Sequence, residues 1–107
     1  IAALADRGHL DAVRRWAVAG RERLAQIARA NGLRALPSAT NFVTMDCGQD
    51  GAFARAVMQA LIARDIFVRM PGVAPLDRCI RVSLGNDAAY AAFAQALPLA
   101  LADVTQA

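Results

Sequence analysis

The sequence predicts an α+β domain: a small, mainly antiparallel or mixed sheet of three to four strands, covered by helices on one face and preceded by a long helix. Three observations carry this. Residues 1–31 repeat apolar side chains at steps of three and four, the helical period. Short β-branched and aromatic runs at 41–47, 66–69 and 79–84 read as strands. Helical stripes follow the first and third runs without a regular βαβ rhythm, and a loop of hairpin-like length joins the second to the third. At 107 residues the chain is one domain by size.

In the first helix, Leu10, Val13, Ala17, Gly20, Leu24 and Ile27 form one stripe, while Arg14, Arg15, Arg21, Glu22 and Arg23 fall mostly off it and Trp16 flanks it. Asn31-Gly32 closes it, because glycine takes the left-handed conformation that ends helices. Residues 33–36 are a short apolar piece stopped by Pro37. Ser38-Ala39-Thr40 leads into the strand Asn41-Phe42-Val43-Thr44-Met45-Asp46-Cys47, in which Phe42 reads as core. Gly48-Gln49-Asp50-Gly51 is a turn, and Asp50 is a suitable cap for a helix over 51–64 that aligns Phe53, Ala56, Val57, Ala60 and Leu61.

Arg64-Asp65 ends that helix, and aspartate tolerates a left-handed backbone better than most side chains. Residues 66–69 form the next strand, and 70–78 are a loop with Pro71, Gly72 and Pro75. In the last strand Ile80, Val82 and Leu84 alternate with Arg81 and Ser83. Gly85 turns the chain, Asn86 caps the final helix and Asp87 suits its positive end. Tyr90, Phe93, Leu97, Leu101 and Val104 make its stripe, which Pro98 is predicted to kink or split.

Composition narrows the function. The apolar share is 57%, with much alanine, and net charge is +3, too small to imply a polyanionic partner. Neither an uninterrupted apolar run of about 18 residues nor a signal-peptide pattern is visible, so the reading is cytoplasmic with no membrane partner. Cys47 and Cys79 read as small apolar strand residues rather than a disulfide. His9 is the only histidine, has no carboxylate cluster beside it and reads as a solvated helix residue; no metal site follows. Nothing resembles a Ser-His-Asp set or a phosphate loop.

Chemistry concentrates on two strand arginines. Ile80 and Val82 must pack inward, so alternation sends Arg81 out of the helix-covered face. A guanidinium there suits a carboxylate or phosphate, which its planar fork binds with two parallel charge-assisted bonds. Arg69 ends the preceding strand and adds positive charge. Ser83 shares the face of Arg81. Two other readings remain: a stand-alone α+β module binding a ligand or RNA, and a purely structural interaction domain. RNA-binding sheets display aromatics on central strands, and here the sheet aromatics are only Phe42 and Phe67.

Three segments in order, Asn41-Phe42, then Ile66-Phe67-Val68-Arg69, then Ile80-Arg81-Val82-Ser83-Leu84-Gly85, resemble the C-terminal small domain of fold-type I pyridoxal-phosphate aminotransferases, closest to the histidinol-phosphate aminotransferase group. The resemblance covers residues 33–97 and departs from the family's usual glycine at Asp65. It implies a connector helix over 1–31 and a small domain over 32–107. It implies that Arg81 grips the substrate carboxylate or phosphate, that Arg69 lies near the substrate's distal phosphate, and that Asn41 ties down the start of its strand beside the substrate. The cofactor would be pyridoxal 5'-phosphate, the substrates an amino donor and a 2-oxo acid, the intact enzyme a homodimer, and nucleic acid no partner. All twelve Lys+Arg residues are arginine, so the Schiff-base lysine that such an enzyme needs is absent. The chain therefore reads as an inactive fragment of a larger enzyme.

Overall fold

The computed structural model describes residues 2–36, 41–71 and 76–106. Pro37, Ser38, Ala39, Thr40, Gly72, Pro75 and the His9 side chain, all used in the sequence reading, lie outside the described residues. Helix α1, Ala2–Ala30, is followed by strands β1, Arg34–Ala35, and β2, Phe42–Asp46. Helix α2, Gly51–Ile62, a 3-10 turn at Leu76–Arg78, strand β3, Cys79–Ser83, and helix α3, Asp87–Gln106, complete the order. The strands form one antiparallel sheet in the order β1-β2-β3. Its register sets Val43 against Val82, Thr44 against Arg81 and Met45 against Ile80.

Alternation divides the sheet. Val43, Met45, Ile80 and Val82 join Leu24, Ile27, Val57, Leu61, Phe93 and Leu97 in one core, so all three helices cover the same face. Phe42, Thr44, Arg81 and Ser83 take the opposite face. The helix ends follow their sequence signals. Asp50 Oδ1 accepts from Phe53 N at 2.8 Å, and Asn86 Oδ1 accepts from Ala89 N at 2.8 Å. Gly32 at φ 76° and Asp65 at φ 65° are left-handed. Across them Leu33 N donates to Ala28 O and Ile66 N to Leu61 O, the bonds that close a helix around a left-handed residue.

Two expectations change. Residues 66–69 do not form a strand: Arg69 alone pairs with β3, opposite Arg81. The turn at Asp65 ties Ile66 back to Leu61, so the segment meets the sheet only at its far end. Helix α3 runs unbroken through Pro98. Pro98 is exposed while its neighbour Leu97 and Ala100 are buried, so packing on both sides of the missing N–H holds the helix together. Residues Asp87–Thr105 have a mean hydropathy of 1.2 over 19 residues, long and apolar enough by length and composition to cross a membrane. Alanine is the commonest residue of that stretch, and the stripe of Tyr90, Phe93, Leu97 and Ala100 is buried in the core.

The stripe on α1 is only half used. Ala17, Gly20, Leu24 and Ile27 are buried, whereas Leu10 and Val13 remain 52% and 42% exposed. Near the end of this covered stretch, Gly20 packs against Tyr90. A Cβ on Gly20 would collide with the Tyr90 hydroxyl, which itself accepts from Gly85 N at 3.1 Å. Gly20→Ala should therefore destabilise the fold by about 1–2 kcal/mol, because overpacking outweighs the roughly 1 kcal/mol that alanine adds to a helix. Urea denaturation measures it. Adding Tyr90→Phe should recover part of the loss, and a double variant no better than Gly20→Ala would place the clash elsewhere.

Candidate functional site

The site is built on one backbone pair. Arg69 N donates to Arg81 O at 3.0 Å, and Arg81 N donates to Arg69 O at 2.6 Å. This reciprocal pattern sets the two Cα atoms about 5.5 Å apart and both side chains on the same face. Ile80 and Val82, buried at 0% and 6%, fix which way β3 is turned. Arg81 is half-buried and Arg69 exposed. Thr44 flanks Arg81 on the other side and is itself buried.

Like charges directly opposite each other on a sheet repel. Among the described residues the ion pairs are Arg64–Asp103 at 2.7 Å and Arg78–Asp46 at 2.9 Å, and neither includes Arg69 or Arg81. Asp46, 8% exposed, lies near in the sheet but is engaged twice, by Arg78 and by Gly48 N at 2.8 Å. What Arg81 does meet is the ring of Phe42, 4.6 Å from its guanidinium carbon to the ring centroid. Two arginines on the same open face, neither held by a carboxylate among the described residues, can grip an anion from two sides.

Asn41 stands apart from this pair. It is exposed at the start of β2, its carbonyl accepts from Leu84 N at 2.8 Å, and it borders a cavity of about 340 Å³ against Val13, Arg14, Ala17, Val18 and Arg21 of α1. Phe42 was expected in the core and is instead half-buried beside Arg81. Only the register, which sets Phe42 opposite Ser83 and two pairs beyond Thr44–Arg81, reveals that contact. The Asp46–Arg78 pair was not anticipated either. Ser83 is exposed on the arginine face.

The fit to a pyridoxal cofactor is negative for these residues: the group is anchored through a lysine amine, and the chain contains none. No group of three or more His, Cys, Asp or Glu side chains among the described residues is arranged to hold a metal ion. Both cysteines are free thiols. Burial, with Cys79 and Asp46 nearby, pushes Cys47 from an ordinary 9.0 up to about 12. Burial, then Asp46, raises Cys79 too. The thiols should resist alkylation at about pH 8 until the chain unfolds. Above about pH 9 the unfolded chain releases thiol protons that the folded chain retains, so stability should fall as pH rises toward 12. Urea midpoints at about pH 8 and about pH 10 check the sign.

No family model matches the chain. Among curated proteins it is 36% identical over 100 residues to histidinol-phosphate aminotransferase 1 of Nitrosococcus oceani, covering 94% of this chain and 26% of that protein. It is 39% identical over 85 residues to histidinol-phosphate aminotransferase 2 of Methylococcus capsulatus, covering 79% of this chain and 22% of that one. Among solved structures, the histidinol-phosphate aminotransferase of Sinorhizobium meliloti, in complex with pyridoxal-5'-phosphate, superposes with a TM-score of 0.90 at 48% identity, over 96% of this chain and 28% of that chain. The chain thus spans about a quarter of the length of these relatives, a share consistent with a C-terminal piece. It belongs to the histidinol-phosphate aminotransferase-like family of pyridoxal-phosphate-dependent aminotransferases.

Proposed function

We propose that the chain is the C-terminal small domain, residues 32–107, with its connector helix, residues 1–31, of a pyridoxal-phosphate-dependent aminotransferase. The intact enzyme, cytoplasmic and homodimeric on this reading, moves an amino group from an anionic donor such as histidinol phosphate to a 2-oxo acid. The observation that carries the reading is the Arg69–Arg81 pair: two arginines opposite each other across a backbone bridge, with side chains on the same open face and in neither of the ion pairs Arg64–Asp103 and Arg78–Asp46. Arg81, half-buried and braced, takes the carboxylate or phosphate of the substrate. Arg69, more exposed and bridged to the outer edge of β3, meets the distal phosphate. Asn41 steadies the start of β2.

The chemistry at the amino group needs a lysine-anchored cofactor, which must come from outside these 107 residues. The chain alone is therefore inactive. Its own work is to bind and orient: a fixed anion clamp holds the substrate in one pose and lowers the entropy cost of reaching the reacting geometry.

Two measurements test this. The intact protein should be yellow with bound pyridoxal phosphate and should lose that visible band when an amino donor is added. A colourless protein that takes up no cofactor would refute the reading. Arg81→Ala in the intact protein should lower kcat/KM for an anionic donor by the equivalent of about 2–5 kcal/mol. Unchanged turnover would instead favour a structural role for this domain.

A further inference from the structure

We propose that Phe42 is a positioning residue for Arg81, holding the guanidinium by its face so that its hydrogen-bond donors stay available to the anion. The sheet gives Arg81 two diagonal neighbours on the open face. Phe42 lies two pairs beyond Thr44–Arg81 in one direction, opposite Ser83, and Asp46 lies two pairs beyond in the other, opposite Cys79. A long side chain leaning along the strand reaches one or the other. Arg81 leans to Phe42, with its guanidinium carbon 4.6 Å from the ring centroid. Asp46 is occupied by Arg78 at 2.9 Å.

The choice of partner matters for binding. A carboxylate would hold Arg81 through the N–H fork that a substrate carboxylate or phosphate needs, and would cancel its charge. An aromatic face attracts the cation through the ring quadrupole, takes no conventional N–H···O bond and leaves the charge intact. Phe42 is half-buried at the start of the central strand, so its ring is a stable platform. It restricts a side chain with several rotatable bonds before the anion arrives. Less ordering remains to be done on binding, and affinity rises without a contact between Phe42 and the ligand.

The inference rests on the reading of Arg81 as the anion clamp, and the test separates the two. In the full-length enzyme, Phe42→Leu should raise KM for an anionic amino donor about 5- to 30-fold while kcat changes less than about 2-fold. Phe42→Tyr, which keeps an aromatic face, should recover most of that loss. If Arg81→Ala leaves turnover unaltered, the clamp reading itself fails. If Arg81→Ala is damaging but Phe42→Leu and Phe42→Tyr behave alike, the clamp stands and the positioning role of Phe42 is overturned. One readout needs no variant. In the unmodified full-length protein with isotopically labelled arginine, the ring current of Phe42 should shift the Arg81 side-chain N–H protons upfield. Arg81 signals at the position of ordinary exposed arginines would also overturn the proposal.

Discussion

The direction in which Arg81 points is fixed by its neighbours rather than by any partner of its own. Ile80 and Val82 are locked into a core that three helices share, and the side-chain period of a strand is two. Slipping the register by one residue would bury a guanidinium and expose two aliphatic side chains, a loss of several kcal/mol. The reciprocal backbone bonds then bring Arg69 alongside without any attraction between the side chains. Were the two guanidiniums roughly 6 Å apart, their repulsion would be about 0.7 kcal/mol in a water-like dielectric and about 3 kcal/mol in a surface-like one. Arg69 is exposed and can swing into solvent, which favours the lower figure. A bound anion reverses the sign of the local field, so the cost borne in its absence becomes differential affinity in its presence.

The helices show how much of the chain this small sheet can cover. At 1.5 Å per residue, the 29 residues of α1 run roughly 44 Å, well beyond what a three-stranded sheet can cover. Coverage ends near Ala17 and Gly20, where α1 meets Tyr90 of α3. Before that point Leu10, Val13 and Trp16 stay half in solvent despite belonging to or flanking the same stripe. The periodicity of the stripe specifies a helix, but burial depends on what lies opposite it.

This difference between pattern and partner also explains what was legible in the sequence. Caps at Asp50 and Asn86 and the left-handed turns at Gly32 and Asp65 are local events, decided by a few residues of backbone, and each could be read in advance. The outward turn of Arg81 was legible because it follows from its two immediate neighbours. The proximity of Phe42 to Arg81 was not, because it requires the pairing register between strands almost forty residues apart in the chain. The Asp46–Arg78 pair depends on the same register plus the 3-10 turn that swings Arg78 into reach. The missing strand at 66–68 has the composition of a strand, and its backbone is diverted by the helix closure at Asp65. The unbroken course of α3 through Pro98 was hidden for a related reason. Propensity counts the lost hydrogen bond but not the buried Leu97 and Ala100 that offset it.

Arg78 and Arg81 begin from nearly the same place and end with opposite roles. Arg78 closes the 3-10 turn, and its guanidinium returns to the buried carboxylate of Asp46, where the pair also braces the Gly48 turn. Breaking that pair would strand a nearly buried charge, so Asp46 has a strong reason to retain Arg78. Arg81 is thereby denied the one buried acid of this face and settles over an aromatic ring instead. The division matters because a sheet surface in which every arginine found a carboxylate would be electrically quiet. Neutralising Arg78 to secure the turn, while leaving Arg69 and Arg81 outside that pair, gives this face both a fixed geometry and a net positive field.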